Sequence, residues 1–107
     1  ELKNVDGKII CEELKVQLST SWPDYVFETK YALTNLDELE KQVMKQGHLP
    51  GIASAAQIEK DKGVEIGEMQ RKMMEKIEEL TLYVIDQSKE IDQLKNENVE
   101  LREAIAE

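Results

Sequence analysis

One histidine, one cysteine, a serine standing near an aspartate, and four methionines are among the side chains here that catalytic or metal-binding chemistry could recruit. His48 and Cys11 are each alone of their kind, so neither has a second ligand at the spacing a zinc site needs. Three copies of His48 could converge on the axis of a symmetric oligomer, but a helix-terminal or packing role is the simpler reading of an isolated histidine. Ser21 lies close to Asp24, yet no second histidine or placed lysine stands ready as its base, so nucleophilic catalysis is not expected. A single cysteine rules out an intrachain disulfide, and Cys11 reads as a small buried side chain rather than a reactive thiol. Met44, Met69, Met73 and Met74 fall at helical spacings and read as core filler. The expectation is a chain without catalytic residues, cofactor or metal.

What remains is architecture. The 107 residues carry a net charge of −9 and only five aromatic side chains, with abundant Glu, Lys, Leu and Ile. That composition suits helices better than sheets. The acidic balance argues against a nucleic-acid surface, which needs clustered Lys and Arg. No apolar run approaches the length of a membrane span, so no membrane insertion is expected. Residues 75–107 hold ten acidic and four basic side chains, two-thirds of the charge excess, and read as a solvated helix face. The chain starts at Glu1 rather than Met, as expected of a fragment of a longer protein, and its compartment cannot be read from it.

Three parts are expected. Residues 1–20 read as extended: Asp6-Gly7 marks a turn, and Leu14, Val16 and Leu18 alternate with Lys15 and Gln17 as in a half-buried strand. Such a strand must lean on the rest of the chain or on another copy. Residues 21–67 hold an irregular aromatic segment, a short helix and a turn-back loop. Trp22, Tyr25, Phe27 and Tyr31 suggest a hydrophobic cluster, with Pro23 keeping Trp22 out of the helical region. Asn35 and Glu38 form a capping-box pattern ahead of Leu36, Leu39, Val43 and Met44, and Gly47 is placed to end that helix. Gly47, His48, Pro50 and Gly51 then make the loop that lets the chain reverse. Ser54 with Gln57 caps one or two further turns ended by Gly63, residues 64–66 read as a short strand, and Gly67 loosens the backbone before the last element.

From Glu68 to Glu107 there is neither Gly nor Pro. Forty helical residues span about 60 Å, longer than any core this chain could supply. With Ile77 at heptad position a, the a series is Gln70, Ile77, Val84, Ile91, Asn98 and Ile105, and the d series is Met73, Leu80, Gln87, Leu94 and Leu101. Eight of the eleven are apolar, which predicts a coiled coil. Glu90 and Glu97 occupy g, and Lys95 and Arg102 stand five residues on at e. In a parallel assembly these make Glu90–Lys95 and Glu97–Arg102 pairs between chains, whereas an antiparallel one would bring like charges together. Gln87 and Asn98 within the seam leave dimer and trimer open on pattern alone. Leu82, Tyr83 and Ile85 lie off the seam, so the first half of the rod is expected to wear a coat made of the aromatic segment and the short helix. Beyond about Ser88 the outer face is charged and the rod is expected to be bare.

The stretches at Asp24–Glu28, His48–Ala55 and Gly67–Tyr83, preceded by "VDGKIICEELKV", closely resemble a C-terminal module of tail-fibre-like and cell-surface proteins of Bacteroides-type bacteria and their phages. The likeness covers roughly residues 5–90. Ala53 is a departure, standing where that family usually has proline. The module is similar to the intramolecular chaperone domain at the ends of phage tail spikes and endosialidases. The resemblance implies a mainly α fold: a parallel homotrimeric coiled coil with a short N-terminal β segment and a small helix packed back on the long one. It implies a trimerisation cap that sets register for an upstream β-rich fibre of the same chain, in a virion tail fibre or at a bacterial surface. A receptor- or glycan-binding tip is the alternative. Self-cleavage at Ser21, known among such relatives, is not expected: they carry Ser-Asp followed by basic residues, whereas Ser21 is followed by Trp22-Pro23-Asp24, with no basic residue until Lys30.

Overall fold

A computed structural model describes residues 7–106. The chain is mainly helical, and its extents of 77 × 31 × 28 Å make it a rod with one thickened end. In chain order it runs through a 3-10 turn (Pro23–Phe27), helix α1 (Leu36–Gln46), helix α2 (Ala55–Asp61) and helix α3 (Ile66–Ala106).

Local chemistry accounts for the boundaries. Pro23 opens the 3-10 turn with its preset φ, and Trp22 before it is extended (φ −67°, ψ 146°). The Asn35 side chain accepts from the Glu38 backbone N–H at 2.9 Å, capping α1. Gly47 ends it with φ +79°, its N–H reaching the Val43 carbonyl at 2.7 Å. Ser54 caps α2 by accepting from Gln57 N–H at 3.2 Å. The left-handed residue that closes α2 is Lys62 (φ +61°), not Gly63, which follows it.

Three expectations change. Among the described residues there is no strand. Residues 8–11 and 13–18 carry no regular secondary structure, for a strand needs a partner to complete its hydrogen bonds, and this single chain offers none. The Asp6 half of the proposed turn lies outside the described residues. Residues 64 and 65 are irregular and Ile66 is already helical, so no short strand precedes α3.

Gly67 also does the opposite of loosening the backbone. It is buried inside the first turn of α3, and an added Cβ there would lie 2.7 Å from both Val16 Cγ1 and Leu18 Cδ2. The missing side chain lets residues 16–18 lie directly on the helix. By helix propensity alone, Gly67→Ala would stabilise α3 by about 1 kcal/mol. The close approach reverses that expectation for the N-terminal segment. In Gly67→Ala, trypsin is expected to cut after Lys15 several-fold faster than in the parent chain while α3 keeps its helix content. Unchanged cleavage would mean that the contact holds nothing in place.

Candidate functional site

The informative surface is α3 itself, whose two sides are treated differently. The outer side of its first half is covered by the chain's own N-terminal segments. Val26 in the 3-10 turn is only 1% exposed, and Pro23 beside it is fully buried. The turn packs on α3, where Glu78 is buried at 8% exposure. At heptad positions b, c and f, charged side chains of α3 bind the coat. The Tyr25 hydroxyl donates to Glu75 and the Tyr31 hydroxyl to Glu79. At a g position, the Tyr83 hydroxyl donates outward to the Thr34 carbonyl. Thr20 donates to Glu68 at 3.4 Å, and Arg71 bonds both Glu68 and Tyr25. Lys76 bridges Glu75 at 3.6 Å and Glu79 at 3.1 Å.

All three tyrosines of the chain thus pin coat to rod. No local sequence pattern announces this polar network. The acidic residues in the first half of the helix read as solvated, whereas Glu75 and Glu79 stand one turn apart and meet hydroxyls from Tyr25 and Tyr31. The clue was the phenol oxygens, not the rings. The expected aromatic cluster is divided: Tyr25 and Tyr31 pair at 5.9 Å between ring centroids, while Trp22 and Phe27 remain exposed.

The electrostatics follow from the geometry. The bond to Glu75 raises the Tyr25 pKa, helped by burial, and burial followed by the bond to Glu79 raises that of Tyr31. Tyr83 is also raised, first by burial. A tyrosine whose folded pKa exceeds its ordinary value of about 10 adds stability that is fully present below that value. That contribution is lost as pH rises through the folded pKa. An absorbance titration is therefore expected to show phenolate appearing only above pH 10 and together with release of the coat. Ionisation at the ordinary tyrosine value with the coat intact would contradict these bonds. Tyr31→Phe is expected to cost about 1.5 kcal/mol, the low end for a bond to a charged acceptor, read by thermal or urea melting.

The inner side of α3 is bare. At the positions expected to form the seam, Met73, Ile77, Leu80, Val84, Ile91 and Leu94 are 51–62% exposed, Leu101 is 62% exposed and Ile105 is 83% exposed. Gln87 and Asn98 are exposed as well, and every residue from Val84 to Ala106 is open to solvent. Within the described chain, Glu90, Lys95, Glu97 and Arg102 form no ion pair with one another. The coat therefore covers the opposite face of the first half and leaves these positions open.

Of the residues weighed for chemistry, His48 is half-buried just past the Gly47 cap, its Nδ1 3.0 Å from the Leu49 carbonyl oxygen. Cys11 is exposed rather than buried, because the segment around it packs on nothing here. Met44 is 78% exposed and Met73 is on the open seam, so only Met69 and Met74 fill space as expected. Ser21 is exposed. No group of three or more metal-ligating side chains occurs among the described residues, and no helix there is long and apolar enough to cross a membrane. Comparison with family models, curated proteins and solved structures returns no match to this chain.

Proposed function

We propose that the chain is a parallel homo-oligomerisation module, trimer favoured, acting as the C-terminal, chaperone-like cap of a fibrous tail-fibre or surface protein. The observation that carries this is the division of α3. A helix of 41 residues leaves an a/d stripe, apolar except at Gln70, Gln87 and Asn98, open along its length while the same chain covers the opposite face of its first half. A stripe of that length on a rod with no further core is satisfied by sister helices lying alongside. The unpaired Glu90, Lys95, Glu97 and Arg102 flank the stripe at g and e, where parallel neighbours pair them. Each exposed pair adds only a few tenths of a kcal/mol, so their role is to select direction.

The function follows from geometry. Three in-register helices bring the segments before residue 20 to one end of the rod, next to each other. That lowers the entropy lost when upstream strands of different chains pair. The segment at 8–18, without a hydrogen-bonding partner in the single chain, is where a fibre of the same chain would continue. Residues 88–107 reach past the coat, so removing them is expected to impair assembly of a longer fibre protein. A glycan-binding tip would keep its binding after that deletion, and the exposed Trp22 and Phe27 are the side chains such a tip would use. Light scattering on the purified chain tests the proposal most directly. Three times 12.3 kDa is the expected mass, and 12.3 kDa with α3 fully helical would end it.

A further inference from the structure

The coat does more than cover the outer side of α3. Leu36 and Leu39 of α1, with Leu49 and Pro50 of the turn-back loop, stand beside Ile77, Leu80 and Val84 and leave an open cleft of about 340 Å³ between them. Its α3 wall also includes Lys76 and Tyr83 at g and Gln87 at d, so the cleft lies on the g flank of the seam. On the opposite flank, at e and b over the same length of helix, stand Thr81, Ile85 and Ser88, all exposed. Ile85 is 44% exposed, whereas Leu82 and Tyr83 beside it are half-buried. Of the apolar side chains off the seam in residues 80–85, Ile85 is the one the chain's own coat leaves open.

We infer that the cleft is a socket for the e/b flank of a second copy of this chain, with that copy's Ile85 as the anchor. The inference rests on the parallel-oligomer reading and deepens it. In parallel, in-register helices the g flank of one chain faces the e flank of the next. A cleft built out from g by α1 and the loop therefore meets the neighbour's e and b side chains, with Ile85 at the height of Leu80 to Gln87. Each chain gives its Ile85 to one neighbour and receives one from another, which closes under rotational symmetry. The cleft is mostly apolar, the facing flank presents Ile85 between the hydroxyls of Thr81 and Ser88, and both surfaces are open in the single chain and border the seam that the neighbour must cover. The socket also gives the turn-back loop a purpose. Gly51 takes φ +81°, which turns the loop so that it passes the tip of the Lys76 side chain, and Leu49 and Pro50 line the cleft.

The test uses the full 107-residue chain with Cys11→Ser as background. Two populations, one with Leu39→Cys and one with Ile85→Cys, are refolded together, checked by light scattering, and oxidised. Disulfide-linked pairs between the two populations are expected at least tenfold above a control in which Ile85→Cys is replaced by Lys89→Cys, an outer f position. A chain carrying both changes is expected to give covalent oligomers rather than an internally bridged monomer. An oligomeric mass with linkage no greater than in the control overturns the socket but leaves the oligomer standing. A mass of 12.3 kDa before oxidation overturns both. Ile85→Asp serves where cysteine variants fold poorly. It is expected to raise the concentration at which the oligomer dissociates at least tenfold, and no change there also overturns the socket.

Discussion

If the proposed oligomer forms, Ile91→Asp with Leu94→Asp is expected to reduce it to single chains of 12.3 kDa and to melt the far half of the long helix. Both side chains lie beyond the coat, 52% and 62% exposed in the single chain, and both belong to the apolar stripe. Burying one such side chain is worth about 1.5–3 kcal/mol, so the six lost from a trimer total on the order of 10 kcal/mol. The incoming carboxylates would crowd the axis as well, adding repulsion where the dielectric is low. Residues 88–106 are all exposed in the single chain, and an isolated helix of that length is marginal in water. Circular dichroism is therefore expected to lose helix corresponding to roughly those residues. The coated region at 20–83, pinned by its tyrosines, is expected to persist. A variant with unchanged mass and helix content would show that the stripe is not an interface.

Residues that speak through their neighbours in sequence were legible from sequence. Asn35 and Gly47 bound α1 as their types require, because a cap is a matter of three or four adjacent residues. The uninterrupted stretch after residue 67 became one helix, starting two residues early at Ile66. The division of that helix into a coated and a bare length was also readable, since residues 80–85 are apolar nearly all round and the run beyond Ser88 is not. What stayed hidden depends on contacts between distant segments. Nothing near Gly67 in sequence says that Val16 and Leu18 will lie on it. Nothing near Glu75 says that a hydroxyl fifty residues earlier will donate to it.

The expected strand does not form within the single chain for a related reason. Alternation of Leu14, Val16 and Leu18 is a statement about faces, and a face becomes a strand only when a ladder partner is present. In this chain the alternation is used differently: Val16 and Leu18 both reach the Gly67 site while the backbone between residues 13 and 18 stays irregular. Cys11 shows the same limit. A cysteine is usually buried, but burial here would need a neighbour that the single chain does not supply.

The second large effect concerns the coat. Val26→Asp is expected to release the segment around the 3-10 turn from α3 near neutral pH and to let it return under acid. Val26 is the most buried apolar side chain, and the turn that carries it packs on α3 near Glu78. One oxygen of Glu78, Oε2, is buried without a hydrogen-bond partner. Burial raises the Glu78 pKa, and the charges of Asp24 and Glu75 raise it further. A carboxyl whose folded pKa is raised binds its proton more tightly in the folded state, so stability falls as pH climbs from the ordinary value through the folded one. The Glu78 contribution to the coat is therefore greatest on the acid side of that window, where Glu68, whose pKa is lowered by its bond to Arg71, begins to lose its own. Another buried carboxylate beside the same patch costs on the order of 3 kcal/mol when ionised and far less when protonated, which gives the variant a steeper dependence of the same sign. Glu78→Gln is expected to act the other way, strengthening the coat at neutral pH and flattening its response to acid. Trp22 fluorescence and amide exchange over residues 22–34 report the release separately from the mass of the assembly. If Val26→Asp holds its coat at neutral pH, the buried contact at the 3-10 turn is not what fastens these segments to the rod, and the tyrosine bonds must hold them alone.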